Sequence, residues 1–269
     1  MRISILVFLL LLIPTLALSQ TADKYYEMGS LKGRQGNFKG AIRDFNKAIE
    51  LNPYLGKAYY DRAVSKGKIG DYKGSILDFS KAIELNPNFA KTYYLRGITK
   101  SNLGDHRGAI QDYNKVIELN PNYADAYYNR GLAKGSLGDF NGAVLDLDKA
   151  IELNPNNAET YVTRGHAKIR LREYIGAIQD CNKAIELNPN LDDAYYQRGN
   201  AKGMLGDVRG AIQDYSKAIE LNASNGDAYT AMGLAKIYLG QKDSGCLDLS
   251  KAGELGSFKA YDFIKQNCQ

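Results

Sequence analysis

Pro53, Pro87, Pro121, Pro155 and Pro189 lie 34 residues apart, and a chain that repeats at that interval is constrained to fold as a row of similar units. Gly36, Gly70, Gly104, Gly138, Gly206 and Gly240 keep the same frame, with Arg172 standing where a glycine is missing. Seven units fill residues 22–259, bounded as 22–55, 56–89, 90–123, 124–157, 158–191, 192–225 and 226–259. Inside 124–157, apolar or small residues recur at steps of three and four in two runs. Tyr127, Leu132, Ala133 and Leu137 make the first, and Ala143, Val144, Leu147, Ala150 and Ile151 the second. Leu137-Gly138-Asp139 separates them as a helix-ending glycine followed by an N-capping acid. Asn154-Pro155-Asn156 closes the second run, because proline cannot donate to the helical ladder and disfavours a helical residue before it. Each unit is therefore expected to be a helical hairpin. Small residues mark the crossing: Gly29, Gly97, Gly131, Gly165, Gly199 and Gly233 on first helices, and Ala41, Ala109, Ala143, Ala177 and Ala211 on second helices. A lone hairpin leaves an apolar face uncovered, so neighbours must stack, and the expected architecture is an all-α solenoid.

The aromatic near each unit's start, the Gly-Asp turn, the Ala-Ile before the second aromatic and the Asn-Pro end resemble the tetratricopeptide repeat (TPR) family over about nine-tenths of the chain. The resemblance implies a right-handed superhelix of antiparallel helix pairs, with a concave groove lined by first helices that takes a protein or peptide. It does not identify the partner.

Several departures from the family are systematic. Immediately before the crossing position, where the family usually has an apolar residue, stand Arg62, Arg96, Arg130, Arg164 and Arg198; the terminal units have Met28 and Met232. Four residues further on come Lys32, Lys66, Lys100, Lys134, Lys168, Lys202 and Lys236. Second helices carry Asp44, Asp78, Asp112, Asp146, Asp180, Asp214 and Asp248 in one register. The expectation is a structural ladder of Arg–Asp pairs joining adjacent helices, with ligand binding as the competing role.

A second stripe on the first helices is placed by the resemblance in the groove. Tyr26, Tyr60, Tyr94, Tyr128 and Tyr196 lead it, followed by Val64, Ile98 and Leu132, then Gly33, Gly67, Gly135 and Gly203. A helical glycine costs about 1 kcal/mol relative to alanine, so a register of four needs a reason. Either the glycines relieve crowding between neighbouring first helices or they let a partner's backbone approach. Tyrosines give large contact area at low entropy cost, which suits a peptide groove. Lys57 and Lys91 replace acids kept elsewhere as Asp125, Glu159, Asp193 and Asp227, and Arg34 and Lys68 lie nearby in register. The groove is thus expected to be basic toward its N-terminal half and acidic toward the other. Some family members clamp C-terminal carboxylates with lysine and asparagine; the tyrosines and aliphatics here argue against that type.

The first nineteen residues are of another kind. Arg2 precedes an apolar run from Ile3 to Ile13, and Ala17-Leu18-Ser19 offers small residues before Gln20. Residues 1–19 read as a secretory signal peptide, making the protein periplasmic or secreted; the alternative, a retained anchor, is opposed by the shortness of the run and by Pro14. At the other end, residues 257–269 carry a serine cap and Phe258, Tyr261 and Ile264 at helical spacing, as expected of a helix capping the last repeat. Export would permit a Cys246–Cys268 disulfide tying that cap down. Cys181 replaces a second-helix aromatic and reads as core rather than nucleophile.

Catalysis finds no support. His106 and His166 fall at unrelated points of the repeat, no metal-ligand spacing surrounds them, and no phosphate loop, nucleophile elbow or zinc-protease motif occurs. Neither a metal nor a cofactor is expected. The net charge of +5 comes from 35 basic and 30 acidic residues mixed along the chain, without the basic run of a nucleic-acid binder. Asn222-Ala223-Ser224 matches a glycosylation acceptor, relevant only in a eukaryotic secretory pathway. Three functions are weighed: a non-enzymatic scaffold holding a protein or peptide in the groove, a structural or assembly subunit using outer faces or self-association, and an enzyme of unrecognised type. The first is preferred. Unit five, with Val162, Ile169 and Arg172, departs from both the stripe and the turn.

Overall fold

The computed structural model describes residues 20–268, so the leader expected at 1–19 lies outside the described residues. Those residues are all helix and turn. First helices are α1 (20–34), α3 (Gly56–Lys68), α5 (Ala90–Asn102), α7 (Ala124–Ser136), α9 (Ala158–Arg170), α11 (Asp192–Met204) and α13 (Gly226–Tyr238). Second helices are α2 (Phe38–Leu51), α4 (Tyr72–Leu85), α6 (His106–Leu119), α8 (Phe140–Leu153), α10 (Tyr174–Leu187), α12 (Val208–Leu221) and α14 (Lys242–Glu254), and α15 (Phe258–Asn267) follows. The chain divides into two compact units, one ending at Ala133 and one starting at Lys134. In the first, α3 packs on α4 and α5 on α6, while α3 also touches α5. In the second, α9 packs on α10, α11 on α12 and α13 on α14, with α11 touching both α9 and α13.

The turns follow from local chemistry. Gly70 takes φ 83°, and Asp71 accepts a hydrogen bond from the Gly74 amide at 2.9 Å, satisfying a donor that the first turn of α4 would leave free. Asp105, Asp139 and Asp207 do the same. In unit five Arg172 adopts the left-handed conformation itself, φ 64°, and Glu173 caps without a side-chain bond. The divergent unit therefore keeps its hairpin and carries local strain in place of a bend.

Crossing glycines are required by packing. A Cβ on Gly29, Gly97 or Gly199 would lie 2.7, 2.7 or 2.6 Å from the ring of Phe45, Tyr113 or Tyr215. Gly165 faces the smaller Cys181, which is fully buried and whose thiol burial pushes up to about 12, as befits a core residue.

Cys246 and Cys268 are joined by a disulfide that attaches the end of α15 to α14. The inward face of α15 differs at one residue, Phe258, from the one the sequence suggests. Ala260, Phe263, Ile264 and Cys268 pack against Leu249 and Ala252, and Tyr261 donates to the Gly253 carbonyl of α14 at 3.2 Å, whereas Phe258 is 85% exposed. Ala260 fits because α14 offers small residues there. Ser257 occupies the N-cap position without capping; its hydroxyl pairs with that of Thr230.

Candidate functional site

The arginine–aspartate register forms a bonded frame. Arg96 donates from Nε and Nη2 to both oxygens of Asp112 at 3.0 and 2.6 Å, and Lys100 meets the same carboxylate at 2.8 Å. The Arg62–Asp78 and Arg198–Asp214 pairs repeat this geometry with Lys66 and Lys202, and Arg164 and Lys168 share Asp180 likewise. A third contact reaches back to the preceding second helix: Arg62 to Asn46, Arg96 to Ser80, Arg130 to Asn114, Arg164 to Asp148 and Arg198 to Asn182. Each guanidinium also lies 5.4–5.7 Å from the ring of the tyrosine three residues earlier. Each planar fork thus engages all three of its nitrogens with neighbouring side chains, which ties a first helix to the second helices on either side of it. Asp146 is buried and paired with Lys134 at 2.8 Å. In the terminal repeats, with methionine for arginine, Lys32 meets Asp44 and Lys236 meets Asp248, each at 2.6 Å. Sequence reasoning saw the lysine register without joining it to the aspartates, and missed the backward contacts of this frame.

Against it, successive first helices leave clefts. One of about 360 Å³ lies between α3 and α5, lined by Val64, Gly67, Lys68, Ser75, Phe79, Leu95, Ile98 and Asn102. A second of about 240 Å³ lies beside Gly33, with Ser30, Arg34, Phe45, Asp61 and Val64. In the other unit a cleft of about 410 Å³ lies between α9 and α11, with His166, Ile169, Arg170, Tyr196, Gln197, Asn200 and Gly203. Gly33, Gly67 and Gly203 stand in these clefts. A Cβ on Gly33, Gly67, Gly135 or Gly203 would meet only its own hairpin's second helix, at 3.6 to 4.0 Å, which is ordinary contact. At Gly33, Gly67 and Gly203 no neighbouring first helix comes within 4 Å of that Cβ among the described residues, so a methyl group there would meet no crowding from one.

The tyrosines are wedges as well as surface. Tyr26, Tyr60, Tyr94 and Tyr196 are half-buried against Phe45, Phe79, Tyr113 and Tyr215, with ring centroids 5.9–6.2 Å apart. Tyr60 also stacks on Phe89 and lines a further cleft with Lys57 and Leu85, and Tyr94 stacks on Tyr123. Burial pushes the Tyr60 phenol up to about 12 and raises that of Tyr94. Tyr128 is half-buried and Leu132 is 39% exposed. The structure thus brings Val64, Gly67 and Ile98 into one cleft and Tyr196 into another, while Tyr26 and Tyr94 pack their rings within their own hairpins and hydrogen-bond to the next through Asp61 and Asn129.

Charge in the first unit centres on Asp61. Burial raises its carboxyl, opposed by the hydrogen bond it accepts from Tyr26 at 2.8 Å and by Arg34, Lys57 and Lys91. Lys57 pairs with Asp23 at 2.8 Å and sits over the Tyr26 ring. In the second unit burial raises Asp193, opposed by its hydrogen bond from Gln197, and burial with Arg170 lowers His166. No helix among the described residues is long and apolar enough to cross a membrane, and no group of three acidic, histidine or cysteine side chains gathers there to hold a metal.

Tetratricopeptide repeat models match residues 22–54, 56–89, 79–111, 124–157, 158–191 and 192–225, and a TPR repeat model matches 102–138. No curated protein matches. Among solved structures, the fold is similar to a tetratricopeptide repeat protein from Parabacteroides merdae, with 20% identity, TM-score 0.74, and coverage of 93% of this chain and 100% of that one. It is also similar to a MamA structure at 33% identity, TM-score 0.54, covering 61% of this chain and 96% of that one. A third, YrrB, described as a TPR protein with an unusual peptide-binding site, has 24% identity, TM-score 0.55, and coverage of 70% and 97%. With family models spanning residues 22–225 almost without a break, on hairpins of this construction, the chain belongs to the tetratricopeptide repeat family.

Proposed function

We propose that the protein is an exported, non-enzymatic scaffold that holds an extended segment of a protein partner across the clefts between successive first helices. The observation that carries this reading is the register of glycines. Gly33, Gly67 and Gly203 keep clefts open where a Cβ would fit without strain, so their helical cost is unexplained by the protein's own packing. The bonded frame behind them fixes the first helices before a partner arrives, which lowers the ordering cost of binding. Localisation to the periplasm or the medium rests on the leader-like residues 1–19.

The test fills the clefts. Gly33→Ala, Gly67→Ala and Gly203→Ala together add three methyl groups, and affinity capture from the source organism's exported fraction is compared with the parent. The reading expects a folded, more stable variant that loses a specific partner. A folded variant that retains every captured protein would refute it.

An assembly role through the outer faces is the second reading, favoured by Leu77, Leu145 and Leu247. They share one register on the second helices and are 70–72% exposed. It expects concentration-dependent mass in solution and no response to the glycine substitutions.

A further inference from the structure

Ser75 breaks a register. At the corresponding place on the other second helices stand Ala41, Ala109, Ala143, Ala177, Ala211 and, in the last repeat, Gly245, and the hairpins cross there without needing a hydroxyl. The Ser75 side chain is 1% exposed and its Oγ has no hydrogen-bond partner among the described residues. Serine in a helix commonly donates to the carbonyl four residues back, as Ser80 does to Ile76 and Ser65 to Asp61. The Ser75 hydroxyl does not; it lines the cleft between α3 and α5. A Cβ on Gly67 would stand 3.6 Å from that oxygen, so the glycine keeps the approach to it clear. Buried hydroxyls are normally satisfied, and one that faces a cleft calls for a group from outside.

The chemistry of that group follows from the walls and the rim. Val64, Phe79, Leu95 and Ile98 offer apolar contact, and Lys68 and Asn102 stand at the opening. Lys68, Arg34 and Lys91 have no ion-pair partner among the described residues, whereas the nearby acid Asp61 is already engaged by Tyr26. Positive charge is in excess.

The geometry points to a subsite for a carboxylate-bearing side chain of an extended acidic peptide, its methylenes between Val64 and Ile98 and its carboxylate accepting from Ser75 and Lys68. This rests on the groove reading above and adds to it the sign of the partner. Glutamate fits better than aspartate, because two methylenes can span the apolar walls before the charge is reached.

The probe is a soluble decapeptide of alternating serine and valine with one central glutamate, and its glutamine and lysine counterparts. Each is titrated into the isotope-labelled full chain while amide resonances of α3, α4 and α5 are followed. The glutamate peptide should shift Gly67, Lys68 and Ser75 and bind at least about fivefold more tightly than the glutamine peptide. Ser75→Ala should weaken the glutamate peptide by a similar factor while leaving the melting temperature unchanged or higher, since alanine is the residue the other repeats carry. Equal binding of all three peptides, or a Ser75→Ala variant that binds as well as the parent, would overturn the subsite and leave the groove reading standing. Failure of every peptide to shift any amide of α3 or α5 would overturn both. A destabilised Ser75→Ala variant would show the serine to be structural and would also overturn the subsite.

Discussion

Replacing Asp112 with alanine removes the acceptor shared by Arg96 and Lys100. The carboxylate is buried and takes three charge-assisted contacts at 3.0, 2.6 and 2.8 Å. Losing one partner of a buried pair costs about 3–5 kcal/mol, chiefly because the charge left behind is uncompensated. Here the cations left behind are 17% and 16% exposed, and their long stems can turn the charge toward water, so the loss should lie near 3 kcal/mol. Asp44→Ala is the internal control. That carboxylate is also buried but meets only Lys32, whose side chain is 33% exposed and free to turn to water, so its loss should cost less, about 1–2 kcal/mol. Repeat arrays unfold in parts, so the assay is native-state hydrogen exchange read at the amides of α5 and α6 for Asp112 and of α1 and α2 for Asp44. Equal losses at the two sites, or under about 1 kcal/mol at Asp112, would refute the view that the shared carboxylate carries the frame.

Glycine substitutions should separate by register: Gly67→Ala should stabilise by up to about 1 kcal/mol, while Gly97→Ala should destabilise by about 1–3 kcal/mol because of the Tyr113 ring, both read by urea unfolding. Burial pushes the phenols of Tyr26, Tyr60 and Tyr113 from 10 up to about 12. The folded state therefore holds its protons longer than the unfolded chain, and this contribution to stability is intact below pH 10 and lost as pH rises toward 12. Absorbance titration should find these groups ionising late, together with alkaline unfolding. Cys268→Ser opens a loop of separation 22 and should cost about 3 kcal/mol, measured as faster exchange confined to α13–α15 and absent when the parent is studied under reducing conditions as its own reference.

The hairpins were legible because prolines and turn glycines punctuate the chain at a fixed period. Arg172 shows how far that logic reaches: the position, more than the residue, dictates the left-handed turn. The arginine–aspartate pairing was legible from register alone, since both residues recur in every internal unit. The backward contact to Asn46, Ser80 or Asn114 was not, because it depends on the reach of a guanidinium across a packed helix and on no helical period. On α15 the bulk of Phe258 misleads, since it is exposed while Tyr261 and Ile264 reach α14. The true phase is fixed by the Cys268 attachment and by the fit of Ala260 against α14. In the candidate site, the tyrosine stripe looked like free surface in sequence, yet Tyr26, Tyr60, Tyr94 and Tyr196 are half-buried against the second helix of their own hairpin. Ser75 was visible as an odd member of an alanine register, but only its unpaired oxygen beside a cleft gives it meaning.

The most direct test of the groove account is site-specific photo-crosslinking in the native exported fraction, with the photoreactive residue placed at Val64 in the cleft or at Leu77 on the outer face. The account predicts a discrete protein adduct from Val64 and none from Leu77. An adduct from Leu77 with none from Val64 would contradict it and move the function to the outer faces.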